Sequence, residues 1–239
     1  MAFTKLNSPL KISLLIVIIL SLISCDSLNS IDRPSDKIRL ITLSPHLAEL
    51  VASAGAIDNL VGVVSYSDFP QEVKSIQNIG DAFKVDFETI LALKPDYVLS
   101  WNGGTPIAIV NKLKSLNINV LETNTNVLSD IPDTLMKIAN LTGTVDVAQS
   151  NINLFHSTIN ELKSQTYENQ SIFIETFHQP IFTVSGLHWM SEAVQLCGYN
   201  NIFSDLNQDS AAVNIEAIIK KDPQVILNIS KDVDPQWQK

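Results

Sequence analysis

The sequence predicts an α/β protein of two Rossmann-like lobes joined by a long rigid α-helix. The first observation is an internal repeat: Asp86 to Ser100 (DFETILALKPDYVLS) recurs as Asn214 to Asn228 (NIEAIIKKDPQVILN). In each copy an N-cap residue, Asp86 or Asn214, precedes a short helix with Glu88 or Glu216 in its first turn. Pro95 or Pro223 then ends the helix before an apolar strand. The second observation is that strands alternate with helices around each copy, the spacing of βαβ units and a parallel sheet. The third is that Val145, Ala148, Ile152, Phe155, Ile159 and Leu162 hold a 3.6-residue period without Gly or Pro between the lobes.

Taken in order, residues 1–24 read as a secretory signal. Lys5 and Lys11 precede the apolar run from Ile12 to Leu20, which is shorter than the ~20 residues that span a bilayer. The segment ends in Leu22-Ile23-Ser24-Cys25, which resembles a bacterial lipoprotein cleavage box with Cys25 as the lipidated residue. A lipid anchor holds a chain on a membrane surface without spanning it, at ~0.8 kcal/mol per buried methylene. Asp26 resembles the signal that retains some lipoproteins at the inner membrane. Residues 25–37 then form a polar tether broken by Pro34.

Lobe one spans 38–130. Ile38 to Leu43 is a strand, Ser44-Pro45 starts a helix that stops near Gly55, and Leu60 to Val64 is the second strand. The loop Tyr66 to Pro70 lies at the carboxyl edge of the sheet, where open α/β sheets place their ligands. After the repeat, the strand Tyr97 to Trp101 runs into Gly103-Gly104 and Pro106, a helix from Ile107 to Leu116, and a strand from Asn119 to Glu122. Residues 131–168 hold a helix closed by Gly143 and then the long one, read as the inter-lobe connector, although an amphipathic packing helix leaves the same trace. Lobe two spans 169–239: a strand from Ser171 to Phe177, a turn at Gln179-Pro180, a strand from Ile181 to Val184, and a helix over SEAVQLCG. Cys197 reads as a small buried hydrophobe at the end of that helix. By internal comparison lobe two looks incomplete, because ten residues follow Ile229 where lobe one continues with a helix and strand.

The formal net charge of −9 becomes more negative once the two signal lysines are removed, which argues against nucleic acid and anionic lipid as partners. With Cys25 lipidated, Cys197 has no partner for an intramolecular disulfide. None of His46, His156, His178 and His188 shows HxxxH spacing, so no protein metal site is expected. His46 and His188 read as polar cleft or surface residues. GxSxG, P-loop and GxGxxG signatures are absent, and no enzyme activity is expected.

Five segments in order, ITLSPHLAEL, VGVVSYSDFP, DFETILALKPDYVLSW with NGG, TVSGLHWMSEAVQLCGYNNIF and IEAIIKKDPQVIL, resemble the substrate-binding lipoproteins of cobalamin-importing ABC transporters, the BtuF type. The resemblance implies a class III periplasmic binding protein fold, a cleft between the lobes, and a monomer that carries no cofactor of its own, since cobalamin brings its own cobalt. It implies that Tyr66 and Trp101 face Phe182 and Trp189 across that cleft, with Phe83 a substitute where relatives place a tryptophan. Aromatic walls suit a broad, partly apolar corrin whose amides meet polar groups at loop tips. It also implies that Glu88 and Glu216 dock on the membrane subunits of an ABC importer, while the local reading is that both acids offset the dipole of their helix. Within the same fold, haem or a ferric siderophore is the alternative ligand. A lipid-anchored surface enzyme or adhesion module, or a nonfunctional truncation product, are the readings outside it.

Overall fold

The computed structural model describes residues 37–229 and Trp237. The signal segment, Cys25 with its lipidation, the tether up to residue 36, and residues 230–236, 238 and 239 lie outside the described residues.

Four strands, β1 (Leu40–Thr42), β2 (Leu60–Val63), β3 (Tyr97–Trp101) and β4 (Val120–Thr123), form one sheet in the order β2-β1-β3-β4. Every pairing is parallel. Parallel neighbours need crossovers, and α1 (Pro45–Ser53), α2 (Phe87–Leu93) and α3 (Ile107–Ser115) supply them. Successive strand residues face opposite sides of the sheet. Leu40 and Leu99 therefore enter one core with Leu47 and Val51 of α1. Ile41 and Val98 enter the other with Ile90 of α2 and Leu113 of α3.

Two helices follow, α4 (Asp130–Thr142) and α5 (Val145–Ser164). Leu135 and Ile138 of α4 and Ala148 and Ile152 of α5 close the first core. The 20 residues of α5 span about 30 Å at 1.5 Å per residue. Its first half packs on lobe one and its last residues lead into the second sheet, so the one helix both packs and connects.

The second sheet joins β5 (Gln170–Glu175), β8 (Tyr199–Asn201) and β10 (Val225–Asn228) in the order β10-β5-β8, again all parallel. Read from the other edge, β8-β5-β10 reproduces β2-β1-β3, with α6 (Trp189–Leu196) and α7 (Ile215–Lys221) in the places of α1 and α2. The alternation repeats too: Ile172 and Ile174 of β5 enter one core, and Phe173 enters the other with Phe203 and Ile218.

The sequence repeat is also a repeat of helix ends. The Asp86 carboxylate accepts from the backbone N–H of Glu88 and Thr89 at the start of α2, and the Asn214 side chain accepts from Ala217 N–H at the start of α7. Both helices end on a left-handed residue, Lys94 at φ 47 and Asp222 at φ 43, directly before Pro95 and Pro223. Proline disfavours α geometry in the residue before it, and both copies meet that restriction with the same turn.

Two expectations need correction. The strand expected from Ser171 to Phe177 divides, because Thr176 N–H donates to Phe182 O instead of continuing the parallel ladder. Phe177–His178 (β6) turns back on Ile181–Val184 (β7), which pairs with Ser210–Ala212 (β9) as a separate antiparallel sheet. Cys197, expected to be buried, is exposed. It caps the carboxyl end of α6 just ahead of the left-handed turn at Gly198, so it falls outside the packed part of the helix.

Candidate functional site

Trp101 is the last residue of β3, at the carboxyl edge of the first sheet. Its backbone is held by the turn that follows: its N–H donates to Thr105 Oγ1 at 3.0 Å, and its carbonyl accepts from Gly104 and Thr105 N–H. The indole lies back over this turn. A Cβ on residue 104 would stand 1.9 Å from Trp101 Cε3, so glycine there is what lets the ring lie down. His46 in the first turn of α1 meets the indole edge to face, with centroids 5.1 Å apart and planes at 89°. Among the described residues the buried indole N–H of Trp101 has no acceptor.

The partner wall comes from lobe two. Trp189 opens α6 and is partly exposed, and its ring lies 5.6 Å from that of His188. His188 is the N-cap of α6, with Nδ1 accepting from Met190 N–H at 3.2 Å. Trp101 and His46 from lobe one and Trp189, His188 and Met190 from lobe two line one cavity of about 410 Å³, with Leu50, Leu128 and Ile131 among its other walls. Its apolar walls and few polar groups are the usual make-up of a small-molecule site. The lobes are also tied directly: the Glu192 carboxylate of α6 accepts from Leu128 N–H, in the segment before α4, at 2.8 Å.

Burial sets the charge state of the two imidazoles in the cavity, which the exposed Glu49 side chain also lines. Burial holds the His46 imidazole below the ordinary histidine value, because the imidazolium would lose water. It does the same for His188, outweighing Asp209, which pulls the other way. Both rings are therefore neutral at neutral pH.

The other expected ligand residues stand elsewhere. Tyr66, at φ 68 and 78% exposed, heads the loop after β2. Phe83, 79% exposed, sits in a turn whose Asp81 carboxylate accepts from Phe83 and Lys84 N–H, bonds that hold the Asp81 pKa down. Ser65 donates from both its N–H and its hydroxyl to Gly80 O, which ties these two loops together. Phe182 is half-buried in β7, opposite Phe177 and Ala212. None of the three lines the cavity that joins Trp101 to Trp189. Leu50, Met190 and the approach to α4 are cavity residues that sequence reasoning missed. Leu50 lies one helical turn from His46 and Met190 follows Trp189, so both were within reach of a periodicity argument.

Glu88 and Glu216 are both exposed in the first turns of α2 and α7. Among the described residues neither takes part in an ion pair. Among those residues, too, no cluster of three or more His, Cys, Asp or Glu side chains could hold a metal, and no helix is long and apolar enough to cross a membrane.

A family described as periplasmic binding protein matches residues 40–236. The vitamin B12-binding protein of Vibrio cholerae serotype O1 is 32% identical over 216 residues, 88% of this chain and 78% of that one. That of Yersinia pestis is 35% identical over 191 residues, 79% of this chain and 68% of that one. Among solved structures, the periplasmic vitamin B12 binding protein BtuF of Vibrio cholerae superposes with a TM-score of 0.74 at 31% identity, covering 80% of this chain and 76% of that one. The periplasmic haem binding protein HutB of Vibrio cholerae reaches a TM-score of 0.70 at 19% identity, covering 80% and 76%, and is similar in fold alone. Such relatives place the protein at the periplasm or cell envelope in a binding role. Two parallel-sheet lobes joined by α5, with a cavity shared between them and this breadth of similarity, show that the chain belongs to the periplasmic binding protein family, in its class III form.

Proposed function

We propose that this protein captures cobalamin or a related corrinoid between its lobes and delivers it to an ABC importer. The observation that carries the reading is the cavity that brings Trp101 and Trp189 together from opposite lobes, in a chain 32–35% identical to vitamin B12-binding proteins. Facing indoles bury apolar ligand surface at roughly 25 cal/mol per Å². The neutral rings of His46 and His188, which both line the cavity, offer polar contacts to carboxamides at the ligand rim. A corrinoid is larger than the cavity. One edge enters it, and we assign Tyr66 and Phe83 on their linked loops, with Phe182, to the remainder.

Delivery belongs to Glu88 and Glu216, two uncommitted carboxylates at corresponding sites on the lobes, which seat the protein on basic groups of the importer's membrane subunits. Anchorage belongs to Cys25: removal of 1–24 and lipidation hold a monomeric binding protein, which carries out no catalysis, at the inner membrane. Haem is the second reading, favoured by the neutral His46 imidazole in the cavity.

Calorimetric titration of the fragment 26–239 with cyanocobalamin and with haemin tests the assignment. Saturable binding of cyanocobalamin is expected. No heat with cyanocobalamin and tight binding of haemin would replace the ligand.

A further inference from the structure

The internal repeat matches two apolar pairs, Ile90 with Ile218 and Leu91 with Ile219, and the fold uses only one of them. Ile90 and Ile218 are 0% and 1% exposed, each at the centre of a core. Leu91 and Ile219 are 45% and 66% exposed. Single exposed aliphatic residues are ordinary. Two at corresponding positions of two lobes are not, since nothing in either core holds them there. Each lies three residues after an exposed glutamate, Glu88 or Glu216, and residues so spaced are neighbours on a helix surface.

We propose that Leu91 with Glu88, and Ile219 with Glu216, form two equivalent docking knobs, each an aliphatic anchor beside a carboxylate, for one partner that presents the same apolar and basic recess twice. The proposal rests on the importer-docking reading and adds to it the side chains that hold the complex once charge has steered it. A carboxylate inside an apolar patch needs a cation facing it, because a charge desolvated without a partner opposes binding. A lipid surface is disfavoured by the same charges, with −9 on the chain and an acid in each knob. The matched pair implies a partner built from two copies of one surface, or from two near-identical surfaces.

The test pairs Leu91→Gln with Ile219→Gln, which keeps helix-forming residues at both sites. Affinity is measured for the ABC importer's membrane complex from the same cells, held in nanodiscs, and separately for cyanocobalamin. We expect the double variant to bind cyanocobalamin as the parent does and to lose about tenfold or more in importer affinity per knob. Leu91→Ala with Ile219→Ala, a milder truncation, gives a smaller loss in the same direction. Importer affinity equal to the parent's in both double variants overturns the proposal. So does a concentration-dependent dimer of the parent that the substitutions abolish, seen by sedimentation velocity, because it assigns the knobs to a second copy of this chain. A parent that docks on the importer but ignores cyanocobalamin removes the ligand reading and leaves the knobs standing.

Discussion

Gly103 and Gly104 follow Trp101 as adjacent glycines, yet they are glycine for opposite reasons, and substituting each with alanine separates ligand binding from folding. At 104 the backbone lies outside the left-handed region, but the new Cβ would stand 1.9 Å from Cε3, 2.1 Å from Cζ3 and 2.8 Å from Cδ2 of Trp101. No relaxation of a few tenths of an ångström clears three ring atoms at once, so the indole must swing off its turn. His46, 5.1 Å from the ring, limits where it can go, and the cavity wall moves. Overpacking of this kind costs about 1–3 kcal/mol of stability. Displacing a central aromatic anchor weakens cyanocobalamin binding by about ten- to a hundredfold. At 103 a Cβ meets nothing within 4 Å, but φ is +94. Gly103→Ala therefore costs about 1–3 kcal/mol in backbone strain and leaves the affinity near that of the parent. Thermal unfolding and calorimetric titration of the two variants read both quantities. If Gly104→Ala binds cyanocobalamin as tightly as the parent with unchanged tryptophan emission, Trp101 is not a wall of the site.

Truncating the walls themselves gives the complementary measurement. Trp101→Ala and Trp189→Ala should each weaken corrinoid affinity by about 1–3 kcal/mol by calorimetry, whereas Phe182→Ala, whose side chain is away from the cavity, should weaken it less. Reversing the two acids proposed to dock on the importer, Glu88→Arg with Glu216→Arg, should leave calorimetric binding of cyanocobalamin intact and abolish corrinoid-dependent growth. At the second repeat helix, Asn214→Ala removes the acceptor for Ala217 N–H and should lower stability by about 1 kcal/mol in chemical denaturation. His46 and His188 are both held below the ordinary value of 6.5 by burial. The native state thus favours the neutral rings, a contribution complete above the unfolded value and lost as pH falls through it. The melting temperature should fall as pH is lowered from above to below that ordinary histidine value. His188→Asn, which keeps a capping acceptor, should shrink that drop when the two proteins are compared by calorimetry.

The parts of this architecture legible in the sequence are those written in local chemistry. Asp86, Asn214, Pro95 and Pro223 mark helix ends through their own side chains and dihedrals. The matched glutamates and isoleucines between them exposed the two-lobed plan without any knowledge of contacts. Trp101 was legible because a strand running into Gly-Gly places its last residue at a sheet edge. The break at Thr176 was not, because it depends on a hydrogen bond to Phe182 that exists only once the hairpin has turned. Cys197 was misjudged because an apolar side chain near a helix end carries no sign of where packing stops. The meeting of His46 and Trp101 with His188 and Trp189 depends on how one lobe faces the other, and no local pattern encodes that.

The capping role of His188 bears on which cargo the cavity prefers. The first turn of α6 occupies the lone pair on Nδ1, so the tautomer that remains offers the ligand a proton at Nε2. A carboxamide oxygen can take that proton with the helix undisturbed. An iron centre seeking a lone pair would have to reverse the tautomer and uncap the helix that carries Trp189. The chemistry of one helix start thus favours, on the lobe-two side of the cavity, amide-fringed macrocycles over those that would take His188 as a metal ligand.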